Sequence, residues 1–451
     1  MDDSVLPTKL LNHLSQAADI IRSHDFIQVY SHYDADGISS ASIIAKTLMR
    51  AGKEFRVTLF TTLNDPNMEI IRNTPSECII ISDLGASYIE QLDALTCDVV
   101  VLDHHTTEQQ AERICYANPH LYGIDGMTSG CGATMSFLFS ITMDENNWDL
   151  VQLAFAGIAG DRQHINGLKG LNEYLLEGGK EKGFIEVMDG SLIPPGRLSS
   201  ELYLSTDPYV TGVSGNRKGV DDLLKDSGLS GDMDLKDLSD DDKRRLSSLV
   251  AMKLIDQGTS LQTLNELART RYYLKDWKTD AETLGSLLNG CGRLGLGGVG
   301  VSAGLGDKTA MMEAKELEDT SKRQIMESVL SLNTSNIHIM KNLQWFDSST
   351  LGFTGMICGI AMQFIGDPSK PMIGINRSEE LAKVSGRGTW EQLENGVDLS
   401  IALKRASISV GGNGGGHRIA SGGSFPALRM DEFLNNLNNI IGEQTSSARS
   451  P

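Results

Sequence analysis

The sequence lacks several features that would place it in a specialised class of protein. Its six cysteines are far apart and form no Cys-x-x-Cys pair, which indicates free thiols in a reducing compartment. No apolar run approaches the roughly 20 residues that cross a bilayer, and the first residues lack the basic and apolar regions of a signal peptide. We therefore expect a cytoplasmic protein with no membrane role.

Positive charge is also scarce. The chain has 40 Lys and Arg residues against 59 Asp and Glu residues, so its formal net charge is −19. A protein that coats nucleic acid through its whole surface needs cations to replace condensed counterions. The charge balance argues against such a protein but leaves room for one narrow basic groove. The length of 451 residues predicts two or three domains.

Short apolar segments alternate with longer, helix-compatible segments in the first part of the chain. This alternation predicts an α/β fold with a parallel sheet that helices cover on both faces. Ligands of such sheets bind at the carboxyl ends of the strands. The strand candidates are residues 26–30, 55–60, 77–82 and 98–102.

Acidic and imidazole side chains follow three of these strands, and one more acid follows a small, apolar segment at 150–160. Four such clusters at the ends of successive elements are unlikely to arise independently, so we expect them to form one site. In chain order the residues are His32, Asp34, Asp36, Asp83, Asp103, His104, His105 and Asp161.

The chemistry of this set predicts divalent cations. Four carboxylates in one place carry too much like charge unless cations neutralise it. Mixed carboxylate and imidazole ligands suit Mn²⁺ or Mg²⁺ better than a structural zinc ion, which favours sulfur. Two ions about 3.5–4 Å apart would activate a bridging water and stabilise the attacking and leaving oxygens of a phosphoryl centre. The expected reaction is hydrolysis of a phosphoester.

Each residue has an expected role in this site. Asp83 is the candidate bridging ligand and, with His105, a catalytic residue. His105 would face the substrate as a proton donor or phosphate contact, or else would only orient a neighbouring ligand through a hydrogen bond. Asp103 would hold a histidine. The metal ligands are divided between one ion bound by His32 and Asp34 and a second bound by Asp36, His104 and Asp161.

The rest of the chain divides into a charged region and a second α/β unit. Residues 221–242 hold nine Asp against two Lys, and residues 245–270 have a helical pattern. From about residue 280 glycine is frequent, and a final helix is expected to end at Gly442. The predicted division is a metal-site domain at 1–175, a helical connector at 176–275, a smaller C-terminal α/β domain at 276–442 and a disordered tail at 443–451.

The motifs resemble the DHH phosphoesterase superfamily. The stretch His32-Tyr33-Asp34-Ala35-Asp36-Gly37, with Asp83, Asp103-His104-His105 and Asp161, is similar to its four-motif signature. Gly415-Gly416-His417 resembles the DHH-associated C-terminal domain of the RecJ and nanoRNase branches. Asn289-Gly290-Cys291-Gly292-Arg293 and Thr206-Asp207-Pro208-Tyr209 are similar to the archaeal RecJ-like nucleases, the group that includes the GINS-associated nuclease.

The resemblance implies metal-ligand roles for Asp34, Asp36, Asp83, His104 and Asp161, and a place near the scissile phosphate for His105. Superfamily members with a histidine ligand in the first motif often place it four residues before the first aspartate, where this chain has Tyr30. In the C-terminal unit, backbone N–H groups and bidentate arginine contacts would hold a phosphate. The alternative is a plain glycine-rich loop. The expected substrate-binding residues are Ser385, Arg387, Gly415, Gly416, His417 and Arg418.

Three functions remain open from the sequence. The first is a metal-dependent exonuclease that degrades single strands from the 5′ end, with a role in DNA replication or repair. The second is a hydrolase of short oligonucleotides, phosphoadenosine phosphate or a cyclic dinucleotide. The third is a replisome subunit that docks on GINS and the replicative helicase, although the filled ligand positions argue against a purely structural role.

Overall fold

The computed structural model describes residues 6–107, 109–332 and 336–448. Strands and helices alternate through much of this part of the chain. The strands are β1 (Phe26–His32), β2 (Glu54–Phe60), β3 (Cys78–Ser82), β4 (Asp98–Leu102), β5 (Cys115–Ala117), β6 (Ile185–Met188), β7 (Arg271–Leu274), β8 (Thr279–Asp280), β9 (His338–Ile339), β10 (Gln344–Asp347), β11 (Met372–Asn376), β12 (Leu381–Arg387), β13 (Asn413–Gly416) and β14 (Ala420–Pro426).

No helix in the described ranges is long and apolar enough to cross a membrane. The helices are α1 (Thr8–Arg22), α2 (Ala35–Arg50), α3 (Asp65–Asn73), α4 (Ile89–Asp93), α5 (Gly132–Met143), α6 (Val151–Gly160), α7 (Leu171–Glu181), α8 (Leu198–Leu204), α9 (Arg217–Ser227), α10 (Asp240–Asp256), α11 (Leu261–Leu267), α12 (Ala281–Arg293), α13 (Gly297–Gly304), α14 (Lys308–Ser331), α15 (Thr354–Phe364), α16 (Trp390–Glu394), α17 (Leu399–Ser409) and α18 (Met430–Ala448).

The contacts divide the chain into two compact units. Unit 1 comprises residues 1–190 and 269–321, and unit 2 comprises residues 191–268 and 322–451. Unit 1 therefore consists of two chain segments, which the antiparallel pairing of β6 with β7 joins. The predicted α/β class, with an N-terminal parallel sheet, a helical middle and a C-terminal sheet domain, is confirmed. The exact four-part domain boundaries stay a prediction.

Unit 1 contains a five-stranded parallel sheet in the order β2-β1-β3-β4-β5. All five residues of β3 are buried, as expected for an apolar strand between two layers of helices. From β1 the chain continues to β2 on one side of β1 and then to β3 on the other side, so the direction of connection reverses between β1 and β3. Ligands of doubly wound sheets bind at the carboxyl ends of the strands on either side of such a switch point. The sheet topology thus selects the ends of β1 and β3 as the place for a site.

Unit 2 contains a six-stranded sheet in the order β13-β14-β12-β11-β10-β9. Only β10 and β11 pair in parallel, and the other neighbours in this sheet, as far as the described residues show, are antiparallel. The apolar side chains of β11, β12, α17 and α18 form a buried cluster on one face of this sheet. The strand order places the glycine-rich strands β13 and β14 at one end of the sheet.

Two helix predictions need correction. The helix expected at 245–270 is two helices, α10 and α11, because the chain turns at Gly258 with a φ of +87°. The last helix does not end at Gly442 but continues to Ala448, so residues 443–448 belong to the helix and not to a tail. A Cβ at Gly442 would lie 2.5 Å from the Asn342 side-chain amide, so this glycine permits close packing rather than a helix end. Residues 449–451 lie outside the described residues.

Candidate metal centre

The carboxyl edge of the five-stranded sheet gathers the polar side chains that follow its central strands. Asp34 lies just beyond β1 and is the N-cap of α2, where its carboxylate accepts the Gly37 backbone N–H at 3.1 Å. Asp83 follows β3 directly and has a φ of +55°, a left-handed conformation that is unfavourable for a non-glycine residue. Such conformations persist where surrounding contacts hold a residue in place, and they cluster at functional sites.

A first group of ligand atoms comes from the ends of β1 and β3. His32 Nδ1 lies 3.0 Å from Asp34 Oδ2 and 3.5 Å from Asp83 Oδ2. The other ring nitrogen, Nε2, lies 3.2 Å from the carbonyl oxygen of Thr61, which can only accept a hydrogen bond. This contact favours the proton on Nε2 and leaves Nδ1 for the carboxylates. All three ligand atoms lie within 4.8 Å of one another, so one ion could bridge them.

A second group surrounds His104, which follows β4. Its Nε2 atom lies 3.3 Å from Asp161 Oδ2 and 3.8 Å from Asp36 Oδ2. The same nitrogen lies 3.2 Å from Asp83 Oδ1. Asp83 therefore contacts both groups, through Oδ2 on the side of the first and through Oδ1 on the side of the second.

The orientation of the His104 ring shows what kind of partner this group requires. Nδ1 lies 2.8 Å from the carbonyl oxygen of Gly126, so Nδ1 carries a proton and Nε2 faces the carboxylates. Burial alone would lower the pKa of His104, but the hydrogen bond to Asp83 and the charges of the other carboxylates raise it well above its ordinary value. Nε2 thus needs a positive partner in common with the carboxylates, either a proton or a metal ion. This donor set suits Mn²⁺ or Mg²⁺.

Asp36 is fully buried at the N-terminus of α5. Its two carboxylate oxygens accept the backbone N–H groups of Gly132 at 2.7 Å and Ala133 at 2.8 Å, where the helix dipole favours negative charge. A Cβ at Gly132 would lie 2.6 Å from Asp83 Cβ, and a Cβ at Gly157 would lie 2.5 Å from Asp36 Oδ1. Glycine at these two positions lets α5 and α6 approach the carboxylates this closely.

The carboxylates at this edge do not share one protonation behaviour. Burial raises the pKa of Asp161 to about 7, with a further contribution from the charge of Asp83. Burial and neighbouring carboxylates also raise the pKa of Asp36 well above its ordinary value. Burial alone would raise the pKa of Asp83 too, but hydrogen bonds from His104 and His32 outweigh it and lower this pKa. The edge thus holds more carboxylates than it can keep ionised without added positive charge.

Asp103 and His105 lie beside these groups. Asp103 is buried, and its oxygens accept the Ala86 N–H at 2.7 Å, the His104 N–H at 2.7 Å and the His105 Nδ1–H at 2.7 Å. Burial alone would raise the pKa of Asp103, but the charge of His105 and its hydrogen bond lower it to about 2. The His105 side chain is 40% exposed and offers a ring nitrogen within 4.8 Å of ligand atoms of Asp83 and His104. The expectation that Asp103 holds a histidine therefore agrees with this geometry.

Two residues that support the centre have no role there in the sequence-based predictions. Gln163 donates from Nε2 to the Gly126 carbonyl oxygen at 2.8 Å, the same oxygen that orients His104. The Asn289 side chain accepts the Ala35 backbone N–H at 3.0 Å, between Asp34 and Asp36 in the sequence. In the sequence analysis the Asn289-Gly290-Cys291-Gly292-Arg293 motif supported only a family resemblance, although it contains this residue.

The structure brings together all the residues predicted for the metal site in unit 1. Their geometry is compatible with the predicted division between two ions that share Asp83, while their role as ligands stays a prediction. His32 contacts the carboxylates, whereas Tyr30 is buried in the core and stacks on Phe60 with ring centres 5.4 Å apart. In this chain, therefore, position 32 and not position 30 supplies an imidazole to the site.

The residues predicted to bind substrate lie in unit 2, around β12 and the β13–β14 hairpin. Ser385 of β12 pairs with Gly422 of β14, which in turn pairs with Gly415 of the edge strand β13. Beside this serine, β14 and β13 therefore expose backbone without side chains. An Arg387 guanidinium nitrogen lies 3.0 Å from where a Cβ of Gly355 would be, in the first turn of α15. Ser385, Arg387 and the start of α15 thus form one surface, which we call the Ser385–Arg387 face.

Of the three remaining predicted residues, Gly416 is the last residue of β13, and His417 and Arg418 lie in the turn that joins β13 to β14. The backbone N–H of His417 donates to the Ala420 carbonyl oxygen at 2.9 Å, which closes this turn. The Arg418 guanidinium is bound to Asp398, with Nε 3.0 Å from Oδ2. Gly416 has a φ of +133°, a conformation that requires glycine. The predicted substrate-binding roles of all these residues stay predictions.

Comparison with known protein families identifies two domains. Residues 26–158 match the model of the DHH family, N-terminal domain, and residues 351–443 match the model of the DHHA1 domain. The first match contains all the polar residues of the metal centre except Asp161. The second contains all six residues predicted to bind substrate.

Two relatives show how far the sequence similarity extends. The chain is 30% identical over 437 residues to the uncharacterized protein MJ0831 of Methanocaldococcus jannaschii, which covers 94% of this chain and 95% of that protein. It is 28% identical over 163 residues to YorK of Bacillus subtilis, a protein that carries the name of a single-strand DNA-specific exonuclease. This second match covers 32% of the chain and 26% of YorK.

Two solved structures have a similar fold at low sequence identity. RecJ from Thermus thermophilus, solved in complex with Mn²⁺, superimposes with a TM-score of 0.59 at 15% identity, covering 97% of this chain and 55% of RecJ. CDC45 from Entamoeba histolytica superimposes with a TM-score of 0.63 at 11% identity, covering 96% and 99%. Together with the two domain matches, these findings show that the chain belongs to the DHH superfamily, with a DHH domain followed by a DHHA1 domain and a fold similar to that of RecJ.

Proposed function

We propose that the protein is a divalent-metal-dependent exonuclease that hydrolyses single-stranded nucleic acid from the 5′ end. The observation that supports this proposal most strongly is the position of Asp83, whose two carboxylate oxygens face two separate groups of ligand atoms. A shared carboxylate between two ion positions is the arrangement that two-metal phosphoester hydrolysis requires. We assign His32, Asp34 and Asp83 to one Mn²⁺ or Mg²⁺ ion, and Asp36, His104, Asp161 and Asp83 to the other.

In this proposal the protein groups around the ions orient the substrate and the proton transfers. When bound, the two ions would supply Lewis acidity and lower the pKa of a coordinated water. His105 would stand on the substrate side, because its Nδ1–H is held by Asp103 and its side chain is partly exposed. Burial alone would lower the pKa of His105, but the charge of Asp103 raises it. We therefore assign His105 as the donor of a proton to the leaving oxygen.

The Ser385–Arg387 face would hold a phosphate of the strand. Arg387 can bind phosphate through two parallel hydrogen bonds, and glycines at 415 and 416 allow backbone N–H groups to approach an anion. The N-cap residue of α15, Phe353, makes no side-chain capping hydrogen bond, and the positive end of that helix dipole would attract the same anion. We propose Ser385, Arg387, Gly415, Gly416, His417 and Arg418 as the substrate-binding residues.

Polarity, cellular role and partners rest on the resemblance to RecJ-like nucleases. We propose degradation in the 5′ to 3′ direction, a cytoplasmic role in DNA replication or repair, and association with GINS and the replicative helicase. The name of YorK supports single-stranded DNA as substrate. The likeness to CDC45 is one of fold, and the filled ligand positions at Asp34, Asp83 and His104 argue against a purely structural subunit.

A second candidate is a hydrolase of short oligonucleotides or of phosphoadenosine phosphate. The scarcity of positive charge favours it, because the chain has a net charge of −19 and a long strand needs many cations. Around the Ser385–Arg387 face the excess of positive charge is also small, because residues 376–420 contain six Lys or Arg against five acids. A short ligand needs only a few of these cations.

One assay separates the candidates. The protein with Mn²⁺ is given 5′-labelled and 3′-labelled DNA and RNA, from dinucleotides to about 30 nucleotides, a length that exceeds one typical single-strand binding site. We expect stepwise shortening of long single strands from the 5′ end. Asp83→Asn should reduce the rate roughly 100- to 1,000-fold, as does the loss of one main electrostatic contact to a transition state. Asp25→Asn, at an exposed position outside the centre, is the matched control.

Three other outcomes would contradict the exonuclease proposal or the metal assignment. Turnover confined to dinucleotides and similarly short species would replace the exonuclease with the short-substrate hydrolase. A wild-type protein that binds Mn²⁺ but hydrolyses none of these substrates would contradict both enzymes and favour the docking subunit. Equal rates for wild type and Asp83→Asn would contradict the metal assignment itself.

A further inference from the structure

Unit 2 contains a cavity of about 470 Å³ that shares no residue with the Ser385–Arg387 face. It is lined by α8, by the start of α9 and by the part of α14 that belongs to unit 2. Its volume lies within the range of small-molecule binding sites. None of the residues predicted for metal or substrate binding lies in its wall, so the functions assigned above leave it unexplained.

Three arginines line this cavity in a chain that has an excess of acidic residues. Arg197 forms an ion pair with Asp232, whereas Arg217 and Arg323 form no ion pair with any residue that the structure describes. The Arg217 guanidinium instead lies over the ring of Tyr203, 5.4 Å from the ring centre. A guanidinium can bind a phosphate through two parallel hydrogen bonds and can stack on an aromatic ring at the same time. Two of the three arginines thus have charge available for an anion.

The same cavity has an apolar wall. The ring of Tyr203 and the side chains of Leu204, Val220, Met326 and Leu330 contribute to its lining. A small inorganic anion, which is strongly hydrated, gains little from such a surface. A ligand that joins a flat, weakly polar ring to a phosphate would use both parts, because base rings stack on aromatic side chains and guanidinium planes.

Two acids in the lining limit the charge of the ligand. Asp221 and Glu327 lie in the wall together with the three arginines. They would repel a polyanion such as a long strand or a triphosphate, but they can accept hydrogen bonds from ribose hydroxyls or an exocyclic amino group. The hydroxyls of Ser199 and Ser200 add neutral donors and acceptors. The composition therefore favours a ligand with one phosphate group and several hydrogen-bond donors.

We propose that this cavity is a binding site for a nucleoside monophosphate. The site goes beyond the proposed exonuclease activity, because it uses neither the metal ligands nor the Ser385–Arg387 face. Its existence does not depend on whether the metal centre cuts long strands, short oligonucleotides or neither.

Calorimetric titration of the full chain tests this proposal. The titrations use Asp83→Asn with Arg387→Ala in EDTA, so that the other two candidate sites do not contribute. We expect AMP, GMP, CMP or UMP to bind with affinity at least about tenfold higher than adenosine or inorganic phosphate, because each alternative lacks one half of the contacts. Adding Arg217→Ala or Arg323→Ala should weaken binding roughly tenfold or more.

The controls separate a lost contact from a lost fold. Arg323 and Arg217 are exposed, so their replacement should leave the thermal unfolding temperature unchanged. Arg244→Ala changes an exposed arginine of α10 outside the cavity and should not affect binding. In the Asp83→Asn, Arg387→Ala protein, Tyr203→Leu removes the ring but keeps an apolar side chain. It should weaken the binding of nucleotides more than the binding of inorganic phosphate.

Three results would overturn the proposal. The first is equal affinity for inorganic phosphate and for all four nucleotides, which would mean that the apolar wall takes no part. The second is nucleotide binding that Arg217→Ala and Arg323→Ala leave unchanged, which would place the ligand elsewhere. The third is no binding of any of the four nucleotides, and saturable binding of a glutamate-rich peptide would then assign the arginines to a protein partner.

Discussion

The metal centre of unit 1 and the Ser385–Arg387 face of unit 2 are built from different parts of the chain. The centre consists of side chains, mostly buried, whose carboxylates and imidazoles contact one another at 3.0–3.8 Å. The face consists mainly of backbone, with glycines at 415, 416 and 422 and two polar side chains. We infer that a site for small ions needs close side-chain geometry, whereas a site for a phosphate chain needs an open surface.

Glycines in the two regions give the largest expected contrast. Gly132→Ala would push a Cβ to 2.6 Å from Asp83 Cβ, so we expect Mn²⁺-dependent activity to fall roughly 100-fold or more and stability to fall by about 1–3 kcal/mol. No atom of the described residues lies within 4 Å of a Cβ added at Gly415, so Gly415→Ala should fold normally and raise only KM. Thermal unfolding and steady-state kinetics of both variants test this. Equal losses of stability would contradict the contrast between the two regions.

A buried ion cluster in unit 1 allows folding to be separated from metal binding. Burial alone would raise the pKa of Glu282, but the hydrogen bond from His164 and two neighbouring guanidinium groups lower it well below its ordinary value. Glu282→Gln should therefore reduce the free energy of unfolding by about 2–3 kcal/mol at pH 7. Because the folded pKa is lowered, this loss is complete above the ordinary pKa of 4.5 and shrinks as the pH falls below it.

Denaturant titrations between pH 3 and pH 7 measure this dependence. Glu186→Gln changes an exposed acid of the same unit, 3.9 Å from Lys275, and should cost at most about 0.5 kcal/mol. A loss for Glu282→Gln that does not change with pH would show that packing rather than charge stabilises this cluster.

Gln163 tests whether the metal centre depends on groups that touch no ion. Gln163→Leu removes the hydrogen bond to the Gly126 carbonyl oxygen that orients His104, so Mn²⁺ affinity should fall roughly 10- to 100-fold. Electron paramagnetic resonance of free Mn²⁺ measures the affinity directly. At saturating Mn²⁺ most of the activity should return. Loss of activity without any change in Mn²⁺ affinity would contradict the positioning role.

Two arginines of unit 2 give the smallest expected effect. Arg387→Ala should raise KM about tenfold with little change in kcat, because Arg387 contributes to ground-state binding of a phosphate. Arg418 is 57% exposed and its charge is shared with Asp398, so we expect it to be a weaker contact to the substrate, and Arg418→Ala should raise KM only about two- to threefold. Steady-state kinetics on one oligonucleotide compare them. A larger effect at Arg418 would move the phosphate toward the β13–β14 turn.

The sequence predicted the parts of the structure that depend on residues next to one another. The strands β1, β3 and β4 lie within two residues of their predicted bounds, because apolar runs bounded by polar turns are local signals. The polar residues of the metal centre were found because they follow strand ends. The fold class was confirmed for the same reason, since alternating strands and helices are also a local pattern.

Contacts between distant parts of the chain were not predictable in this way. Gly132 and Gly157 are required by a close approach to Asp36 and Asp83, which no local pattern reveals. Gln163 donates a hydrogen bond to the Gly126 carbonyl oxygen, and both residues lie in turns for which the sequence predicted no conformation. At Gly442 the local signal for a helix end was misleading, because tertiary packing against Asn342 explains that glycine.

The pairing of β6 with β7 bears on how this chain can vary in length. Met188 pairs with Arg271, so the chain leaves unit 1 and returns to it at adjacent positions. The intervening residues 191–268 belong to unit 2. An excursion whose two ends meet in this way can grow, shrink or be exchanged between homologues without altering the parallel sheet. We expect evolutionary divergence in size to concentrate there.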